Sequence, residues 1–180
     1  MTPETFRWVR RATTLGRATV AAALLLWAPT LVRAADGDVS PLLQAAKAGD
    51  NARVRTLLAR LGTDVNGTEH DGTTALHWAV QHGNLDLVKA LIRAKANVNL
   101  KNRYGVAPIW LAATNGHDAV LDARLRAGAD AHTTRADSGE SVLMIGAMSG
   151  HPGVLQRLLA YGADPNVKDG VRGQTALMWA

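Results

Sequence analysis

The 180-residue chain has no cysteine, which excludes disulfides, thiolate nucleophiles and thiolate metal sites and removes any thiol clue to its compartment. Charge of one sign is also scarce over most of the length. The formal net charge is +5, but residues 1–34 hold five arginines (Arg7, Arg10, Arg11, Arg17, Arg33) against Glu4, leaving 15 Lys+Arg and 14 Asp+Glu in the remainder. Nucleic-acid binding calls for a basic stripe whose phosphate contacts release counterions. No such cluster follows residue 34, so no nucleic-acid partner is expected. A phosphate-cradling G-x-x-x-x-G-K-[ST] motif is missing as well. What the chain does have is apolar material: 47% of its residues are hydrophobic, enough for one domain with a sizeable core.

The arginine-rich start leads into an uncharged run, Ala18 to Val32, of 15 residues that includes Pro29. A membrane-spanning helix needs about 20 apolar residues. Small residues at Val32 and Ala34 flank Arg33 as a signal peptidase requires, so residues 1–34 read as a secretory signal peptide, cleaved after Ala34. The expected location is periplasmic or secreted. Membrane contact is expected only if the segment stays uncleaved as an anchor. Arg10-Arg11 followed by ATTL is a poor twin-arginine match, which leaves the export route open.

Beyond residue 34 the sequence repeats. Gly72, Gly105, Gly139 and Gly173 recur at steps of 33, 34 and 34, and Gly49, Gly83, Gly116 and Gly150 at 34, 33 and 34. Between them lie matching phrases: SPLLQAA, TALHWAV, APIWLAA, SVLMIGA and TALMWA, then a second apolar helix, then TDVN, ANVN, ADAH or ADPN. Ser40, Thr74, Ser141 and Thr175 suit N-caps, and Pro41 and Pro108 suit the first helical position. Ala45, Ala79, Ala112, Gly146 and Ala180 share one place, which implies close approach of a neighbouring helix. Gly49, Gly83, Gly116 and Gly150 fit a left-handed residue ending the first helix. Apolar positions in the second helices, such as Leu85, Val88, Leu91 and Ile92, fall at helical spacing. Each helix pair therefore has a face that only a stacked neighbour can cover.

These phrases resemble the ankyrin repeat, over about residues 38–180. The resemblance implies an all-α solenoid of stacked helix-turn-helix units with β-hairpin-like turns. An ankyrin-repeat domain at 35–180 would divide into units at about 38–68, 69–101, 102–135 and 136–168, with a fifth begun at 169–180. Because the chain stops at GQTALMWA, leaving Leu177, Met178 and Trp179 uncovered, the array is expected to continue in a longer product.

His77 is the first candidate for chemistry, but equivalent positions carry Leu43, Trp110, Met144 and Met178. No nucleophile or paired carboxylate accompanies it at a telling distance in sequence. The resemblance implies instead that His77 bonds the capping Thr74 and ties adjacent turns together. Thr74, His77, Gly83, Gly116 and Gly150 are thus scaffold residues. His117 and His151 stand one unit apart, and packed helices about 8–10 Å apart keep such a pair from sharing a zinc ion bound at about 2.1 Å. Trp78, Trp110 and Trp179 are expected to pack in the core. No catalytic residue, metal site or cofactor is expected.

In ankyrin proteins partners usually meet the hairpin tips and the exposed face of the first helices. Carried over position by position, the candidate partner-binding residues are His70, Asp71, Lys101, Arg103, Tyr104, Asp137 and Arg172 on the tips and Gln81, Asn115 and Met148 at helix ends. Tyr104 beside Arg103 is the leading anchor, since aromatic and arginine side chains dominate interface energies. The expected function is an exported, monomeric, non-catalytic module that binds an unidentified protein. The alternatives are the recognition arm of a larger enzyme or toxin, and a membrane-tethered scaffold.

Three departures stand out. Leu61 is an insertion expected to lengthen the first unit's second helix. The turns before Gly139 and Gly173 are one residue longer than their counterparts and are expected to splay. Arg124 replaces the leucine found at Leu57, Leu91 and Leu158, and is expected to snorkel its charge to water; the alternative is that it marks a strained unit or an outer-face contact.

Overall fold

The computed structural model describes residues 40–180; the expected signal peptide at residues 1–34 lies outside the described residues. Helices follow the repeated phrases. First helices are α1 (Pro41–Lys47), α3 (Ala75–Gln81), α5 (Pro108–Thr114), α7 (Val142–Met148) and the short α9 (Ala176–Trp179). Second helices are α2 (Asn51–Leu58), α4 (Leu85–Arg93), α6 (Asp118–Arg126) and α8 (Pro152–Ala160). The first helices α1, α3, α5 and α7 each pack on their own second helix and on the next first helix, and the second helices form a row of their own. The result is an all-α solenoid. Isolated bridges, Thr68 to Thr74 and Thr134 to Ser141, are the only extended pairing among the described residues.

Seven- to nine-residue helices of this kind are too short to persist alone, so packing must hold them. Val54, Ala79, Val80, Val88, Leu91, Ile109, Ala112, Leu121, Val154 and Leu158 are all buried in one continuous core. The recurrent small residue explains the spacing of the rows. A methyl group added at Gly146 would fall 2.9 Å from Val154 Cγ1, inside the packed helix pair.

The glycines that end first helices are left-handed, with φ of +64° at Gly83, +67° at Gly116 and +69° at Gly150. Two of them have a second constraint. A Cβ at Gly83 would lie 2.7 Å from the His117 ring and one at Gly116 2.6 Å from the His151 ring. Each histidine therefore lies against the glycine of the preceding unit, a stacking role that its spacing alone did not reveal.

The closing phrases form repeated turns. Asp64, Asn97, Asp130 and Asp164 each accept the amide two residues on, at 2.8–3.0 Å. Neighbouring units are then laced by asparagine: Asn66 Oδ1 accepts from the Asn97 amide at 2.7 Å and Asn99 Oδ1 from the Asp130 amide at 3.1 Å.

Three expectations are corrected. Leu61 does not extend a helix: α2 ends at Leu58, and Leu61 sits fully exposed in the turn after it. The carbonyl that Ala96, Ala129 and Ala163 amides reach at Leu91, Arg124 and Leu158 is met in the first unit by the Thr63 hydroxyl, 2.7 Å from the Leu57 oxygen. The insertion shifts the backbone donor away, and a side chain replaces it. The longer turns do not splay from each other either, because the Gly170 amide donates to the Ser138 carbonyl at 2.8 Å.

Arg124 is the third correction. Its side chain is wholly buried rather than snorkelling. Nη2 donates to the Val98 carbonyl, while Nε and Nη1 have no partner. Burial pushes its pKa down to about 9, so the side chain is still a cation at neutral pH. The position faces inward on α6, as Leu91 and Leu158 do on α4 and α8, and a stem of that length has no open path to solvent there.

Candidate functional site

Four turns precede the helices α3, α5, α7 and α9, and their backbones are closed by matching bonds. The amides of Glu69, Asn102, Arg135 and Asp169 reach the carbonyls of Thr73, Val106, Glu140 and Gln174 at 2.8–3.0 Å. In the second turn, Asn102 Oδ1 also accepts from Tyr104 and Val106 amides, both at 3.0 Å. In the fourth, the buried Asp169 carboxylate collects the amides of Val171 (2.9 Å), Arg172 (2.6 Å) and Gln174 (3.0 Å) and the Trp179 indole N–H (3.4 Å). Those amides, Arg172 foremost, hold its pKa below the usual carboxylate range. Arginine cannot accept, so Arg135 at the corresponding place in the third turn forms ion pairs instead, with Asp137 at 3.0 Å and Glu140 at 3.8 Å.

His77 is fixed by both ring nitrogens. Nδ1 lies 3.1 Å from the Thr74 amide nitrogen and 2.8 Å from its hydroxyl, so it accepts, and the ring proton sits on Nε2. Nε2 then donates to the Val106 carbonyl of the next turn, 3.0 Å away. The Thr74 hydroxyl in turn caps the His77 amide at 3.4 Å. Burial lowers the imidazole's pKa, with the Arg124 cation adding to the effect, while the Val106 carbonyl and Asp71 oppose it. A neutral imidazole with both nitrogens engaged is a fastener, with no free lone pair for base catalysis. In α7 a methionine makes half of this bridge, its Sδ accepting from the Ser141 amide at 3.3 Å.

The candidate partner residues divide by how much of each side chain the fold occupies. Asp71 is taken by its own turn, accepting from the Thr73 amide and hydroxyl, both at 2.9 Å. Its pKa is lowered, chiefly by that amide. Asp137 is exposed but clamped by Arg135, whose bidentate bonds hold its pKa down. Asn115 is half-buried at the end of α5, and Lys101 reaches across to the Thr134 carbonyl at 3.2 Å. His70 accepts from Arg103 Nη1 at 3.3 Å, which joins the first two tips through side chains as well as backbone. Tyr104 (68% exposed), Met148, Gln81 and Arg172 project into solvent.

Trp78 packs against the core with part of its ring and presents the rest to a surface hollow. Trp78 is half-exposed and lines a hollow of about 300 Å³ with Thr73, Gln81, Asn102 and Leu111. Lys47 Nζ stands 4.7 Å over its ring and His82 stacks at 6.2 Å. Trp110 does pack in the core as expected, and Trp179 is half-buried. The same place in other units is taken by Gln44, exposed, Leu111, half-buried, and Ile145, buried, so it lies at the boundary of the core.

Stacked helical hairpins, cross-tied turns and a row of unlike tip side chains define a repeat solenoid built for surface recognition. A model of the family described as "Ankyrin repeats (3 copies)" matches residues 20–102, 42–130 and 109–180. The chain belongs to the ankyrin-repeat family. It is 36% identical over 81 residues to Notch-regulated ankyrin repeat-containing protein A of Danio rerio, a span covering 43% of this chain and 72% of that protein. The human Notch-regulated ankyrin repeat-containing protein is 35% identical over 81 residues, covering 43% and 71%. Ankyrin repeat and KH domain-containing protein mask-1 of Caenorhabditis elegans is 32% identical over 117 residues, covering 64% of this chain and 4% of that protein.

Proposed function

We propose that the chain is an exported, non-catalytic ankyrin-repeat module that binds a protein partner through its turns and the first-helix face, acting as a monomer in the periplasm or outside the cell. Export rests on the sequence pattern of residues 1–34. The observation that carries the binding reading is Tyr104. It is a large aromatic side chain held 68% exposed on a turn clamped by Asn102 and by the bond from the Arg103 amide to the Asp71 carbonyl, at 2.8 Å. An aromatic presented on a rigid turn loses little entropy on docking, and the Trp78 hollow beside it supplies an apolar recess with polar edges.

Crosslinking of the exported chain in periplasmic extract, followed by capture, tests this. A defined protein recovered with the native chain and lost with Tyr104→Ala and Arg103→Ala supports the reading. Unchanged recovery in both variants removes these residues from the interface. The mask-1 match, confined to 4% of that protein, places such repeats in a small part of a much longer chain and motivates a second reading, in which the repeats here are the recognition arm of a larger protein, an enzyme or toxin. Reading the gene beyond the codon for Ala180 separates the two: an unrelated folded domain supports the arm, further repeats alone the module.

A further inference from the structure

The second helices carry a feature for which recognition by the turns does not account. Between α4 and α6 runs a groove of about 400 Å³, floored in part by the half-buried Leu85 and Ile92. Four cations line it, Lys89, Arg93, Arg126 and Arg157, against a single carboxylate, Asp122. Asp122 lies 3.0 Å from Arg126 Nη2 and 3.4 Å from Arg157 Nη1, so one acid holds two guanidinium groups side by side. Each guanidinium has five N–H donors, most of which remain available. Among the described residues Lys89 and Arg93 have neither an ion pair nor a side-chain hydrogen bond.

The distribution of charge makes the groove unusual. Residues 40–180 hold 15 Lys+Arg and 12 Asp+Glu, an excess of three for the whole domain. The groove alone has that same excess of three, four cations less one acid. Charge balanced elsewhere is concentrated here, around apolar floor.

We infer that this groove docks an acidic segment of a protein partner. Carboxylates of the segment meet Lys89, Arg93 and the Asp122-tethered arginines in charge-assisted bonds, and an apolar side chain between them covers Leu85 and Ile92. A lone inorganic anion leaves that floor wet. A flat anionic membrane reaches the protruding Arg126, 72% exposed at its side chain, but not the recess. The site is independent of the turns, so a protein could engage both at once or two proteins could bind one module.

The probe is a fluorescein-labelled peptide, Glu-Glu-Leu-Glu-Glu-Leu-Glu-Glu, titrated with the full chain by fluorescence anisotropy near physiological salt. Saturable binding is expected, weakened at least tenfold by Lys89→Glu with Arg93→Glu, several-fold by replacing the peptide leucines with serine, and unaffected by Tyr104→Ala. Circular dichroism checks that the double variant keeps its helices; Arg126→Glu is the substitute if it does not. Equal binding to the charge-reversed chain overturns the inference. So does equal binding of the serine peptide, which means charge alone is read. Capture by phosphatidylserine vesicles with no peptide binding overturns it in favour of a lipid surface. Loss of binding with Tyr104→Ala alone moves the site to the turns.

Discussion

The second and third units are built on one plan and held by different means. In the second, Thr74 and His77 cap α3 and bridge to the next turn, Asn84 caps α4 by accepting the Leu87 amide at 3.1 Å, and Asn99 ties onward to Asp130. In the third, Ala107 and His117 give no side-chain cap, Trp110 replaces the bridging histidine, and His132 stands where Asn66 and Asn99 make their ties. The third unit also buries Arg124. Backbone bonds join the first turn to the second (Arg103 to Asp71) and the third to the fourth (Gly170 to Ser138); among the described residues none joins the second to the third. An apolar core is enough to define the stack, while side-chain caps and turn ties are fewest at the third unit, with fasteners on either side of it. The Trp78 hollow lies between the second and third units, beside turns that a backbone bond joins.

Arg124→Leu is expected to have the largest effect. Replacing an incompletely bonded buried cation by the leucine of neighbouring units raises stability by about 3 kcal/mol, read as a higher urea midpoint. A lower midpoint means that Arg124 fastens the third unit after all. His77→Leu acts in the opposite direction on the second unit. It orphans the buried Thr74 amide, leaves the Val106 carbonyl with the Asn102 amide alone, and lowers stability by about 2 kcal/mol. A loss below about 0.5 kcal/mol removes the bridge from the comparison.

Acid distinguishes the units in a third way. The folded pKa of His77 lies below its ordinary value, so the unfolded chain takes the proton first. The contribution is full above pH ~6.5 and is lost as pH falls from there toward the folded value. Asp71, Asp137 and Asp169 are held below the usual carboxylate range by their hydrogen bonds and titrate lower still. Denaturation at pH 7 and pH 5 is expected to show this loss in the native chain, less of it in Arg124→Leu, whose repelling cation is gone, and none from this source in His77→Leu. The smallest effect is a repair: Ala107→Thr places a cap where the backbone is already extended (φ −84°, ψ 153°), adding about 0.5–1 kcal/mol.

Those differences also mark what could be read before the structure. The stack, its helices and the left-handed glycines followed from spacing, because period and cap chemistry are local. Arg124 was visible as an intruder among leucines, but its direction was not, since burial depends on whether a neighbouring unit leaves a path to water. Trp78 packs against the core as its spacing suggests, but the hollow it also lines was not legible, because that recess depends on where Asn102 and Leu111 of the next unit fall. Asp71 reads as a contact residue because turn acids usually face solvent; the structure gives its oxygens to the Thr73 amide and hydroxyl. The basic groove was invisible as a cluster because Lys89, Arg126 and Arg157 come from three separate units.

Native-state hydrogen exchange, followed amide by amide on the full chain, tests the contrast between the units most directly. Amides of α6 are expected to exchange through openings of clearly lower free energy than those of α3 and α4, with the gap closing in Arg124→Leu. Equal protection across the helices, or α4 opening before α6, would contradict it.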